Sequence, residues 1–132
     1  MVLVDANILL DIFTADPVWL DWSRDALARA LLTRGTVINP IIYSEVSMAF
    51  RHPEELDAEL DALGIRKAPL PYEAAFPAGQ AFLAYRKRGG TKTSPLPDFF
   101  IGAHAHVEGR HLLTRDAARY RTYFPKTKII AP

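Results

Sequence analysis

Cysteine is absent from the 132 residues, which removes disulfides and thiolate metal sites together and fits a reducing, cytoplasmic compartment. Long apolar runs are missing too. Residues 1–4 are apolar, but Asp5, Asn7 and Asp11 interrupt the run before an export signal or a membrane span could form. There is no repeat, no low-complexity stretch and no Pro/Gly/Ser linker, so residues 1–132 are expected to form a single domain. An excess of one charge is lacking as well: 16 Lys and Arg face 15 Asp and Glu for a net +1. Bulk electrostatics therefore does not point to a nucleic-acid partner, and any such role must come from how the charges are distributed.

What is present is an ordinary globular composition, 49% hydrophobic and 23% charged, long enough to bury a core without a covalent staple. Residues 1–4 read as a short buried strand, after which Asn7 can cap a turn of helix carrying Ile8, Leu9, Leu10, Ile12 and Phe13. Asp16 and Pro17 are expected to start a second helix, as its N-cap and first helical position. Trp19, Trp22, Ala26 and Ala30 follow at helical spacing, and Gly35 stands where a C-cap is wanted. A second strand is expected over 36–38. Asn39 and Pro40 repeat the cap signal for a helix through Phe50, and Pro53 and Gly64 bracket another. Residues 72–88 read as helical, with Pro77 tolerable only near the first turn. Gly89 and Gly90 end that segment, and a loop runs through Pro97. A helix over 98–108, a strand over 111–114, a short helix over 117–123 and a last strand over 127–130 complete the chain. Short apolar strands alternating with helices predict an α/β sandwich, its short, mainly parallel sheet covered by helices on both faces.

Such sheets bind ligands beyond the carboxyl ends of their strands. Asp5 follows the first strand directly, Glu45 rides on the helix leaving the second, and Asp116 lies two residues past Thr114 at the end of the third. Asp98 starts the helix that must dock on the same sheet. Each acid also has a plainer reading: Asp5, Asp98 and Asp116 could cap helices, and Glu45 could be a solvated helix residue. Capping does not explain Glu45, which neighbours Val46 and follows Ile41 and Ile42. Nor does it explain four acids at one edge, because crowded carboxylates repel and lose hydration unless a cation compensates them.

Four segments carry a resemblance. VDAN at 4–7, IYSEV at 42–46, PDFFIGAHA at 97–105 and LLTRD at 112–116 are similar to the four acidic motifs of PIN domains, and the match spans almost the whole chain. Length, motif order and closing strand resemble the stand-alone toxins of bacterial VapBC toxin-antitoxin pairs. The resemblance implies a PIN-like fold, an acidic quartet of Asp5, Glu45, Asp98 and Asp116, and help from Asn7 and Thr114 in orienting it. It also implies a metal-dependent endoribonuclease acting on RNA, a cognate VapB-type antitoxin and a homodimer. Residues 51–71 carry no family signal.

An all-oxygen carboxylate site suits Mg²⁺ or Mn²⁺, one or two ions per site. Metal-assisted phosphodiester hydrolysis is the chemistry such a site can perform. Asp5 and Asp98, at chain turns, are expected as direct ligands. Glu45 and Asp116 could bind a second ion, act through water or position the nucleophile. Arg86, Lys87, Arg88 and Lys92 form a local basic cluster, of which Arg86, Arg88 and Lys92 are candidate phosphate contacts; a solvated helix end is the plainer reading. His104 and His106 lie two apart on a helix, point in different directions and are expected in core or surface roles. Trp19 and Trp22 have core-like spacing. Two other function classes compete: a non-catalytic binding module on the same fold, and an aspartyl-nucleophile phosphohydrolase. The latter wants a second Asp where Asn7 stands.

Overall fold

A computed structural model describes residues 1–93 and 96–132. The loop expected ahead of Pro97 includes Ser94 and Pro95, which lie outside the described residues. The strands are β1 (Val2–Val4), β2 (Thr36–Ile38), β3 (Arg66–Lys67), β4 (Leu112–Leu113) and β5 (Ile129–Ile130). The helices are α1 (Ala6–Phe13), α2 (Leu20–Thr33), α3 (Pro40–Ser47), α4 (Pro53–Leu63), α5 (Ala75–Lys87), α6 (Pro97–Glu108) and α7 (Ala118–Tyr123), with a 3₁₀ turn at Tyr72–Ala74 before α5. All pairings are parallel and the strand order is β3-β2-β1-β4-β5. Leu3 is matched to Val37 on one side and to Leu112 on the other.

This order has a functional consequence. The chain leaves β1 toward β2 and β3, then returns to place β4 against the opposite side of β1. The gap between β1 and β4 is thus the point where the winding reverses, and crevices open there beyond the strand ends. Every residue of β1, β2 and β4 is buried, so helices cover both faces of the sheet's centre. The main core joins these strands to Ile8, Leu9, Leu27, Ile42, Val46, Leu56, Leu60 and Ile101. A second cluster, of Ala74, Ala78, Ala81, Phe99, Ala103 and Phe124, lies where α5 packs on α6.

The α/β prediction holds, with a fifth strand added and several boundaries corrected. Strand β3 is two charged, exposed residues at the sheet edge, so it lacks the apolar run by which a strand is read. The Asp16–Pro17 signal makes a turn instead of starting a helix. Asp16 accepts from the Val18 and Trp19 amides, both at 2.9 Å, and α2 begins only at Leu20. Asp5, not Asn7, is the N-cap of α1. Asp98 lies within the first turn of α6, with Leu96 at the cap and Pro97 at the first position. Asn39 does cap α3, accepting from the Ile42 amide at 2.9 Å, and Gly64 closes α4 at φ 74°. Among the described residues no helix is long and apolar enough to cross a membrane.

Candidate active site

Strand β1 delivers Asp5 to the crevice, where the residue is only 5% exposed. Oδ1 accepts from the Ala6 amide at 2.7 Å, which starts α1. Oδ2 accepts from the Thr114 hydroxyl at 2.9 Å and from the Tyr120 hydroxyl at 2.8 Å. Thr114 sits just past β4 and in turn accepts from Asn7 Nδ2 at 3.2 Å and from the Asp116 amide at 3.1 Å. Asn7 Oδ1 also accepts from the Arg115 amide at 3.1 Å. The ends of the two strands at the switch point are thus clipped together through side chains.

Tyr120 is buried in α7, and its hydroxyl lies 3.4 Å from Asp98 Oδ1 as well as against Asp5. Its single proton goes to the nearer acceptor, Asp5. Burial, then the charges of Asp5 and Asp98, hold the phenol pKa well above its ordinary value, so it remains a donor. Burial also raises the Asp5 pKa, against the lowering effect of the Tyr120 and Thr114 hydrogen bonds, and the charge of Asp98 adds to the rise.

Glu45 enters from α3, where Ile42 and Val46 face the core. Its Oε1 is buried with no hydrogen-bond partner. Burial, followed by the charges of Asp5 and Asp98, pushes its pKa up to about 7. An uncompensated carboxylate oxygen facing two others is costly to ionise, and this is the electrostatic condition that a cation would relieve. Asp98 is half-exposed and pairs with Arg119 at 3.2 Å. Asp116 is exposed on the loop after Thr114. It shares with Asp98 a groove of about 460 Å³ lined also by Tyr85, Arg88, Arg119 and Tyr123.

The structure therefore brings Asp5, Glu45 and Asp98 within electrostatic reach of one another and places Asp116 on the same groove as Asp98. The all-oxygen donor set and the orphaned Glu45 oxygen fit a hard divalent cation. Among the described residues, however, no three Asp, Glu or His side chains already converge as a cation cage; Tyr120 and Arg119 stand against Asp5 and Asp98 instead.

Two participants escaped the sequence reading. Arg115 donates to Asp11 through Nε and Nη2, both at 2.8 Å, and Ser23 adds a third hydrogen bond to Asp11 at 2.7 Å. Asp11 is buried, and the Arg115 guanidinium lies 5.4 Å from the Trp19 ring centre. This pair pins the loop between Thr114 and Asp116 to α1. Its signal was an acid between Leu10 and Ile12 on an otherwise apolar helix. Tyr120 was the other, a polar-tipped aromatic on the inner face of a short helix.

The basic cluster divides. Arg88 lies over the Tyr123 ring at 5.5 Å and lines the groove. Arg86 instead donates to the Lys92 carbonyl at 2.6 Å, and Lys92 is exposed. The histidines diverge as their spacing requires. His104 is fully buried between Asn39 at 3.0 Å and Glu108 at 2.8 Å, its pKa lowered by burial, whereas His106 faces solvent. Trp19 and Trp22 pack edge to face at 6.3 Å.

Comparison with known proteins adds an independent line. The family model for the PIN domain matches residues 2–125. Among solved structures the chain is similar to VapBC2 from Rickettsia felis bound to a DNA fragment from their promoter, with 17% identity and a TM-score of 0.75 over 100% of this chain and 99% of that one. It is similar to VapBC-1 from nontypeable Haemophilus influenzae, with 15% identity and a TM-score of 0.72 over 99% and 98%. For DNA-bound VapBC from Salmonella typhimurium the values are 19% and 0.70 over 99% and 98%. At such identities the likeness is one of fold. No curated protein matches the chain.

Proposed function

We propose that this chain, which belongs to the PIN-domain family, is a metal-dependent endoribonuclease and the VapC-type toxin of a toxin-antitoxin pair. The observation that carries the chemistry is the meeting of Asp5, Glu45 and Asp98 at the β1/β4 switch point, with a Glu45 oxygen buried and unpartnered. Asp5, Glu45, Asp98 and Asp116 would hold one or two Mg²⁺ or Mn²⁺ ions, which would supply charge to activate water and to offset the phosphate. The protein's own contribution is positional. Thr114 and Tyr120 fix the Asp5 carboxylate by two hydrogen bonds, Asn7 fixes Thr114, and the Asp11–Arg115 pair holds the loop that carries Asp116. Arg119 pairs with Asp98 and also lines the groove, which puts a guanidinium beside the place a substrate phosphate would take.

The partners follow from the same reading: RNA as substrate, a VapB-type antitoxin as inhibitor and a second copy of the chain as dimer partner, all in the cytoplasm. The similar structures are of VapBC complexes, which supports the antitoxin. A non-catalytic module is the second reading. It is favoured by one observation, that both Asp5 oxygens already accept hydrogen bonds. The phosphohydrolase reading loses ground on that same fact, because Asp5 is buried and bonded where an attacking carboxylate would need to be free.

Cleavage of a mixed-sequence RNA in Mg²⁺ or Mn²⁺ decides between them. The nuclease reading expects activity that EDTA abolishes and that falls by orders of magnitude in Asp5→Asn and Asp98→Asn, with large but smaller losses in Glu45→Gln and Asp116→Asn. Full activity in excess EDTA, or in either Asn variant, would refute it.

A further inference from the structure

The groove beside the acids does not end there. Arg88, Thr122 and Tyr123 also line a second depression of about 450 Å³, which adds His106, Phe124 and Lys126. His106 and Lys126 in turn line a third, of about 180 Å³, which adds Arg110, His111, Thr127 and Lys128. Shared lining residues set the three depressions side by side, and taken in that order they trace a path. It starts at Asp98 and Asp116, beyond the carboxyl ends of the strands, and ends where His111 and Lys128 precede β4 and β5, at their amino ends. Across the sheet itself those two positions are separated by three residues of strand, on the order of 10 Å; around α6 and α7 the path is longer.

Charge changes sign along this path. Past Asp98 and Asp116 the ionised side chains lining it are cationic: Arg88, Lys126, Arg110 and Lys128. Arg110 is partly compensated by Glu108 at 2.7 Å. Lys126 and Lys128 have no ion-pair partner among the described residues. Arg34 adds to the positive surroundings of His111. The last depression is also lined by Thr127, whose hydroxyl is buried with no partner. Partly exposed rings accompany the cations: Tyr85 and Tyr123 near the acids and His106 midway. Cations at intervals along a bent path, interleaved with rings on which bases can stack, suit a flexible single strand better than a rigid duplex.

We infer that the path is a track for single-stranded RNA and that its far end is a phosphate pocket in which Arg110, Lys126 and Lys128 hold the backbone remote from the cleaved bond. The inference rests on the nuclease reading for the identity of the strand. It adds to that reading a binding site on the opposite edge of the sheet. A consequence is length dependence: a short oligonucleotide can occupy only one part of the path, without metal the cationic pocket, whereas a longer one also spans the groove toward the acids.

The test uses the whole chain in EDTA, so that binding is read without cleavage, by fluorescence anisotropy of a labelled tetranucleotide and a labelled dodecanucleotide RNA over a range of salt. The dodecanucleotide is expected to bind more tightly to the wild-type chain. In Lys126→Ala/Lys128→Ala dodecanucleotide affinity should fall at least several-fold, with the slope of log Kd against log salt reduced by about 1.4 for two lost contacts to a single strand. Tetranucleotide binding should weaken as well, since in EDTA the acids repel it and the cationic pocket is its main site. Both lysines are solvent-facing, and an unaltered melt verifies that the variant folds. Equal affinity and slope for variant and wild type, or no length dependence in the wild type, overturns the proposal. So does lysine-dependent binding of an acidic peptide by a chain that binds no RNA, which would assign the pocket to a protein partner. Loss of the slope with no cleavage in Mg²⁺ would leave the track standing and remove the nuclease reading. Cleavage with an unchanged slope would do the reverse.

Discussion

Glu45 makes the electrostatics of the site measurable without any substrate. Its pKa is raised from an ordinary 4.5 to about 7, first by burial and then by the charges of Asp5 and Asp98. A carboxyl with a raised folded pKa binds more protons when folded than when unfolded. Its contribution is therefore fully present below pH 4.5 and is lost as pH rises through about 7. At about 1.4 kcal/mol per pH unit that window is worth at most ~3.5 kcal/mol. Glu45 is only partly buried, and water screening reduces the figure to ~1–2 kcal/mol. Glu45→Gln removes the ionisation and keeps the shape. In EDTA, the melting temperature of the variant relative to wild type should rise between pH 5 and pH 8. The gain should be ~4–8 °C, taking about 4 °C per kcal/mol for a chain of this size. Any constant cost of the amide cancels in that pH-dependent difference. Saturating Mn²⁺ at ~100 times its dissociation constant should stabilise the wild type by about 2.7 kcal/mol and the variant by less. Differential scanning fluorimetry at four pH values, with and without metal, reads all of this. A difference between the two proteins that stays flat from pH 5 to pH 8 would refute the argument, because the Glu45 oxygen could then not be facing uncompensated charge.

Other outcomes follow from named contacts. Arg115→Ala leaves Asp11 buried without its bidentate partner and should destabilise by about 3 kcal/mol in urea unfolding; a loss near zero would mean that water replaces the guanidinium. Tyr120→Phe removes one donor from Asp5 and should cost ~1–2 kcal/mol of stability. Because that hydrogen bond lowers the Asp5 pKa, metal binding followed by calorimetry should also need a higher pH in the variant. Arg88→Ala should flatten the salt dependence of RNA binding more than Arg86→Ala does, since only Arg88 lines the groove while Arg86 is occupied by the Lys92 carbonyl. Equal effects of the two would return the segment to a solvated helix end.

The sequence showed most of the fold because its strongest signals are local. Apolar runs and cap chemistry announce the buried strands and the turn at Asn39–Pro40: the strand expected over 1–4 forms at Val2–Val4, and the strand over 36–38 and the cap lie where expected. Strand β3 was missed because Arg66 and Lys67 pair at an exposed edge and carry no apolar pattern. The Asp16–Pro17 pair misled because a carboxylate that accepts two successive amides makes a turn as readily as a helix start. For the site, position after a strand singled out Asp5 and Asp116, and position on or at the start of a helix singled out Glu45 and Asp98; in the fold Asp5, Glu45 and Asp98 lie within electrostatic reach and Asp116 shares a groove with Asp98. Nothing local showed that Asp11, in the middle of α1, would bind Arg115 more than a hundred residues away. Pairing across that separation is decided by topology, which sets β4 against β1.

That same topology explains why Tyr120 can reach Asp5. Helix α7 has to come close to α6, and Gly102 is the residue that permits it. A Cβ there would lie 2.4 Å from Phe124 Cδ2 and 3.1 Å from Tyr120 Cδ1. With the aromatic rings seated against Gly102, the phenol is directed at the crevice, where its hydroxyl lies against Asp5 and near Asp98. One small residue in a helix otherwise buried over Phe99, Ile101, Ala103, His104 and Ala105 thus couples the packing of two helices to the geometry of the acids. The Asp5 carboxylate is then fixed by β1, by Thr114 beyond β4 and by Tyr120 on α7 before any cation arrives. If Asp5 binds a cation as proposed, a carboxylate held on three separate elements would lose little freedom on binding, and the cost of bringing carboxylates together would be met by folding and not by the ion.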